Sequence, residues 1–158
     1  PPVWSASLNA SGLAPGLLYR LCVDLDDDGA EKPPGDSTFE IYVGVVVSVL
    51  SPSALRSSLD VQPLLVECLP EGCSKETSAF LSTGCEFAES EGLPYRTAEA
   101  LFKATANATI WQLVIPDLTG LTLGEHYRLC TDLDGSPNSS GTLYPAGDTG
   151  HHVFIAPL

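Results

Sequence analysis

Tyr19, Leu21, Val23 and Leu25 fall on one side of a two-residue alternation, with Arg20, Cys22, Asp24 and Asp26 on the other. The pattern returns with Tyr127, Leu129, Thr131 and Leu133 against Arg128, Cys130, Asp132 and Asp134. Period two with one apolar column predicts a strand that buries one face. Further runs rich in apolar or β-branched residues, separated by Pro, Gly and Ser, predict strands over 45–50, 61–68, 78–83, 98–105, 110–115 and 152–155. Helical spacing is compatible only with 53–59 and 97–104. The expected fold is all-β, an antiparallel sandwich.

The two strands belong to a longer repeat. Gly12 and Gly120, Leu13 and Leu121, Gly16 and Gly124, Tyr19 and Tyr127, and Cys22 and Cys130 are each 108 residues apart. After an insertion the match resumes with Gly35-Asp36 against Gly147-Asp148, now 112 apart. Trp4 and Trp111 nearly align, one residue out of phase. Residues 1–43 therefore read as a copy of residues 111–158, whereas 44–110 occur once. A repeat of this length is domain-sized.

"LAPGLLY", from Leu13 to Tyr19, and "LTLGEHY", from Leu121 to Tyr127, resemble the turn of fibronectin type III domains in which a tyrosine opens strand F. The resemblance implies that Tyr19 and Tyr127 are tyrosine corners, each phenol bonding back to the backbone beside the turn. It covers strands E, F and G of both copies. Residues 1–43 are then the back half of a fibronectin-III-like or immunoglobulin-like unit, and 44–158 a complete one. "FEIYVGVVVSVL" runs from a last strand into a first strand with no linker, which implies a stiff tandem.

Charge and composition narrow the setting. Twenty acidic against 7 basic residues give a net charge of −13, which repels phosphate backbones and makes nucleic acid an unsuitable partner. The longest apolar run, 41–50, is about half the ~20 residues a membrane-spanning helix needs, so no membrane insertion is expected. The absence of Met and the Pro1-Pro2 start read as a piece of a longer polypeptide. Five cysteines among 13 prolines and 14 glycines suit an oxidising, extracellular or cell-surface location. Sequons at Asn9, Asn107 and Asn138 agree, and imply N-linked glycans.

Within 44–158, Cys68, Cys73, Cys85 and Cys130 allow three pairings. The resemblance sets strand F in one sheet with C and G. Cys130 lies three residues after its tyrosine rather than two, so it and Cys22 are expected to point out of the core. An outward Cys130 is nearest Cys85, which leaves Cys68 with Cys73. Cys22 then has no partner in the chain: it serves an intermolecular bridge, or its partner lies in sequence outside these residues. Zinc fits poorly, because one C-x4-C without a second ligand pair does not make a tetrahedral site.

Asp24, Asp26 and Asp28 begin like a calcium loop, but Gly35 stands where an EF-hand has its Glu. A looser calcium site with Asp36 is the remaining candidate, weighed against a solvated acidic hairpin. Adjacent His151 and His152 face opposite sides of a strand, so at most one could join Asp148. Glu86, Glu89 and Glu91 read as a solvated surface before Gly92, and Trp4 and Trp111 as packing residues. No nucleophile with a base partner emerges, so no enzyme is expected. The expected role is a structural subunit of an extracellular glycoprotein fibre or surface filament, assembling with itself. The alternative is a calcium-dependent adhesin or carbohydrate-binding module.

Overall fold

The computed structural model describes residues 1–26, 32–57, 61–135 and 144–157. Its strands form three sheets. A lone hairpin pairs β1 (Leu18–Val23) with β2 (Gly35–Tyr42). A four-stranded sheet runs in the order β3 (Val46–Ser51), β5 (Pro63–Cys68), β9 (Ile110–Val114), β8 (Lys103–Ala104). A five-stranded sheet runs β4 (Ala54–Arg56), β11 (Gly147–Ala156), β10 (His126–Asp132), β6 (Ser78–Ser82), β7 (Ala100–Leu101). Every pairing is antiparallel except β4 with β11, which run parallel.

The two larger sheets enclose one core. From the four-stranded sheet come Leu64, Val66 and Leu113; from the other come Leu55, Leu81, Tyr127, Leu129, Val153 and Ile155. Along β5 the alternation is visible directly, since Leu64, Val66 and Cys68 are buried and Leu65 and Glu67 are less so. The side chains of one face interdigitate with those of the other sheet, while Leu65 and Glu67 on the outer face of β5 stay partly open.

Three stretches stand out. The described part of 53–59, residues 53–57, forms no helix, and 58–59 lie outside the described residues; Ala54–Arg56 adds parallel to the last strand, burying Leu55. The strand expected over 98–105, which helical spacing also allowed, is split in two, because the chain crosses between sheets there: β7 pairs with β6, β8 pairs with β9, and Phe102 between them drops into the core. The third concerns Trp4. Residues 1–10 carry no strand, and Trp4 is 89% exposed, whereas Trp111 lies in β9 with its ring 6.4 Å from that of Phe102. Trp111 has β5 beside it as a ladder partner, and residues 1–10 have no such neighbour.

Candidate interaction site

The repeat is geometric as well as textual. In β1–β2 the pairs are Leu18 with Tyr42, Tyr19 with Ile41, Arg20 with Glu40, Cys22 with Asp36 and Val23 with Gly35, with an irregularity after Arg20. In β10–β11 the pairs His126 with Phe154, Tyr127 with Val153, Arg128 with His152, Cys130 with Asp148 and Thr131 with Gly147 follow the same order, with the irregularity after Arg128. Arg20 meets Asp36 at 2.8 Å, and Arg128 is paired with Asp148. Ser37 donates to the Leu21 carbonyl at 2.6 Å, and Thr149 to that of Leu129 at 2.8 Å. The Tyr19 hydroxyl accepts the Ala14 N–H at 2.8 Å and the Tyr127 hydroxyl accepts the Thr122 N–H at 2.9 Å. Tyr127 alone also donates onward, to the Pro94 carbonyl at 2.9 Å.

What differs is the surroundings. Tyr127, Leu129 and Val153 are buried, whereas their counterparts Tyr19 and Leu21 are partly open and Ile41 is exposed. Burying one such side chain contributes about 1.5–3 kcal/mol, and the lone hairpin leaves most of that unrealised. Among the described residues no sheet faces its apolar side chains.

The hairpin is nonetheless seated on the sandwich. Only three residues separate Tyr42, the end of β2, from Val46, the start of β3. Gly16, at φ +82°, comes so close that a Cβ on it would lie 2.6 Å from Leu133 Cδ1 and 2.7 Å from Tyr144 Cδ1. Tyr42 covers Gly147 and donates its hydroxyl to the Thr131 carbonyl at 3.3 Å. Burial raises the Tyr42 phenol above its ordinary value. The counterparts of Gly16, Gly147 and Leu133 are open. Gly124, matching Gly16, and Gly35, matching Gly147, have nothing within reach of a Cβ, and Leu25, matching Leu133, is 80% exposed. Beside the junction lies a groove of about 910 Å³, walled by Leu18, Glu40 and Tyr42 from the hairpin and by Glu86, Arg128 and Asp148 from the sandwich.

Two disulfides join Cys68 with Cys73 and Cys85 with Cys130, at Cα separations of 6.0 and 5.6 Å. Cys130 stands outside the core cluster but does not reach solvent; it is fully buried. The outward register expected for it leads under a second layer: its ladder partner Phe80 carries the Arg96 guanidinium 3.6 Å above the ring, and Arg96 also binds Glu99 and the Phe87 carbonyl. Cys22 is a free thiol and exposed.

Among the described residues, the calcium candidates Asp24, Asp26 and Asp36 do not gather as a metal site. Asp36 lies opposite Cys22 and is held by Arg20. The Thr38 N–H and that guanidinium keep its carboxyl below the usual range. Asp24 accepts the Asp26 N–H at 3.2 Å, and Asp28 lies outside the described residues. Among the described residues no three His, Cys, Asp or Glu side chains gather as a metal site. Of the sequons, Asn9 and Asn107 are exposed, and Asn107 Oδ1 accepts both the N–H and the hydroxyl of Thr109; Asn138 lies outside the described residues. His152 sits opposite Arg128, and Glu89–Glu91 is a short 3-10 turn with no buried residue.

Sequence reasoning passed over the junction residues Gly16, Tyr42, Leu133, Tyr144 and Gly147. Their signal was present in the paired glycines, Gly16 with Gly124 and Gly35 with Gly147, which mark close backbone approach as well as homology.

The two disulfides point to a non-cytoplasmic setting. Among the described residues no helix is long and apolar enough to cross a membrane. Comparison with family models, curated proteins and solved structures found no match for this chain.

Proposed function

We propose that this chain is part of a structural subunit of an extracellular glycoprotein fibre or surface filament, built from immunoglobulin-like or fibronectin-III-like units stacked without linkers. The observation that carries the reading is the junction. Gly16 and Tyr42 form the tail of one unit, and Leu133, Tyr144, Thr131 and Gly147 the head of the next. An open tail at Gly124 and an open head at Leu25 and Gly35 remain at the other ends. A head that fits a tail, with both repeated, is a heterologous contact that does not close on itself, and such contacts propagate into rods. Strand order supports the sandwich family: β3-β5-β9-β8 against β4-β11-β10-β6-β7 is the order of an immunoglobulin-like unit whose first strand divides between sheets. Exposed Asn9 and Asn107 suit a glycosylated outer surface.

Immunogold imaging of the native source with an antibody to this chain tests the reading. Label at regular intervals along extracellular filaments is the expected outcome. Label confined to dispersed single molecules or to the cell interior would remove the fibre role and favour a binding module.

A further inference from the structure

The two hairpins are the same object in two states of completion. β10 has a strand on each edge: β11 on one, and β6 on the other, where Arg128, Leu129, Cys130, Thr131 and Asp132 pair with Ser82, Leu81, Phe80, Ala79 and Ser78. Leu81 of β6 enters the core on one side, and Cys85, three residues past the strand, bonds Cys130 on the other. β1 has β2 on one edge, and no described residue pairs with the second edge. Cys22, in the place of Cys130, is exposed and free, and Leu21, in the place of Leu129, is partly open.

We propose that the open edge of β1 together with Cys22 is a docking site for an extended strand of the β6 kind, fixed by a disulfide between Cys22 and a cysteine five residues beyond the residue that faces it. The register is the one seen at β10: an incoming Leu lies beside Leu21, an incoming Phe faces Cys22, and the following turn brings the cysteine back over β1. Backbone hydrogen bonds to a free edge supply the affinity, and the apolar and sulfur positions supply the choice of strand.

The supplier is a front half of this repeat, a segment patterned like residues 44–110 and lacking a hairpin of its own. A whole second copy of the chain does not qualify, since its β6 is already held between β7 and β10. The naming of the supplier rests on the stacked-unit reading above; the edge and the thiol stand without it. The covalent step is thiol–disulfide exchange. The Cys22 thiolate attacks the strand's sulfur in a mixed disulfide with a small thiol such as glutathione, the new S–S bond forms, and the glutathione thiolate leaves, taking up the proton that Cys22 lost.

The probe is a peptide of residues 77–88, TSAFLSTGCEFA, carried as its glutathione mixed disulfide and added to the full chain. Expected are an adduct mapped by mass spectrometry to Cys22, formed at least about tenfold faster than with a scrambled peptide that keeps the cysteine in place, and new amide-exchange protection across Leu18–Val23. A Cys→Ser version of the peptide gives the protection without the adduct. Equal rates for the native and scrambled peptides, or an adduct without protection in β1, overturn the proposal. Faster Cys22-to-Cys22 dimerisation of the chain overturns it as well, by making a second copy the occupant. Failure here with regular labelling on filaments would discard this site and leave the fibre role intact.

Discussion

Tyr42 lies across Gly147 so closely that a Cβ on the glycine would sit 2.0 Å from the ring, and this contact ties the hairpin to the sandwich. Gly147 has no left-handed backbone requirement, so Gly147→Ala tests the contact sterically. The substitution is expected to cost about 1–3 kcal/mol, as overpacking does, and to loosen the junction. In a Tyr42→Ala background the same substitution should cost nearly nothing. Chemical denaturation of the four proteins in a double-mutant cycle gives the coupling.

The paired tyrosines provide a comparison inside one molecule. Tyr127→Phe removes a buried hydroxyl with two partners and is expected to lower stability by about 1–3 kcal/mol. Tyr19→Phe removes an exposed bond to Ala14 and should leave the main thermal transition within about 0.5 kcal/mol of the parent. Differential scanning calorimetry on the two variants checks the contrast.

Loop length ranks the disulfides. Cys85–Cys130 spans a sequence separation of 45, and Cys68–Cys73 one of 5. Chain-entropy reasoning gives about 4 kcal/mol for the former and about 2 kcal/mol for the latter. Cys85→Ala with Cys130→Ala should therefore lower the urea midpoint roughly twice as far as Cys68→Ala with Cys73→Ala.

Asp132 gives the unit a pH dependence. Burial, with Asp134 nearby, pushes its carboxyl up to about 6 from the ordinary 3.8. The folded state thus holds this proton more tightly than the unfolded chain does. The resulting stabilisation is fully present below about pH 3.8 and is lost as the pH rises through about 6. Asp132→Asn is expected to stabilise the protein at pH 7, on the order of 1 kcal/mol once solvent screening is allowed for, and to make little difference at pH 3.5. Melting curves across that range read the effect. Asp36 has the opposite sign: its lowered carboxyl contributes stability above about pH 3.8 that disappears as the pH falls further.

Local patterning made the all-β character legible, because β10 alternates between apolar and polar residues and β5 and β9 are short apolar runs bounded by turn residues. It failed where position depends on distant chain. Ala54–Arg56 is too short to show a period and is a strand only because β11 offers an edge. Ala100–Leu101 and Lys103–Ala104 look like one run, yet they serve opposite sheets around Phe102. Trp4 and Trp111 have similar neighbours in sequence and opposite fates, decided by whether a β5 lies alongside. The burial of Cys130 was hidden for a related reason: alternation tells which face a residue takes, and the cover on that face comes from Arg96 above Phe80.

Parallel pairing of β4 with β11 sets how a unit bears tension. The chain enters close to the first of these strands and leaves through the last, and they run in the same direction, with Phe154, Ile155 and Ala156 beside Ala54, Leu55 and Arg56. A pull on the two ends therefore slides one strand along the other and strains their hydrogen bonds together instead of peeling them one at a time. Three residues between Tyr42 and Val46 leave almost no slack to take up first. Once the load has passed through β3, such a unit is expected to hold its length and then give way abruptly, a material behaviour to which the direction of one three-residue strand contributes.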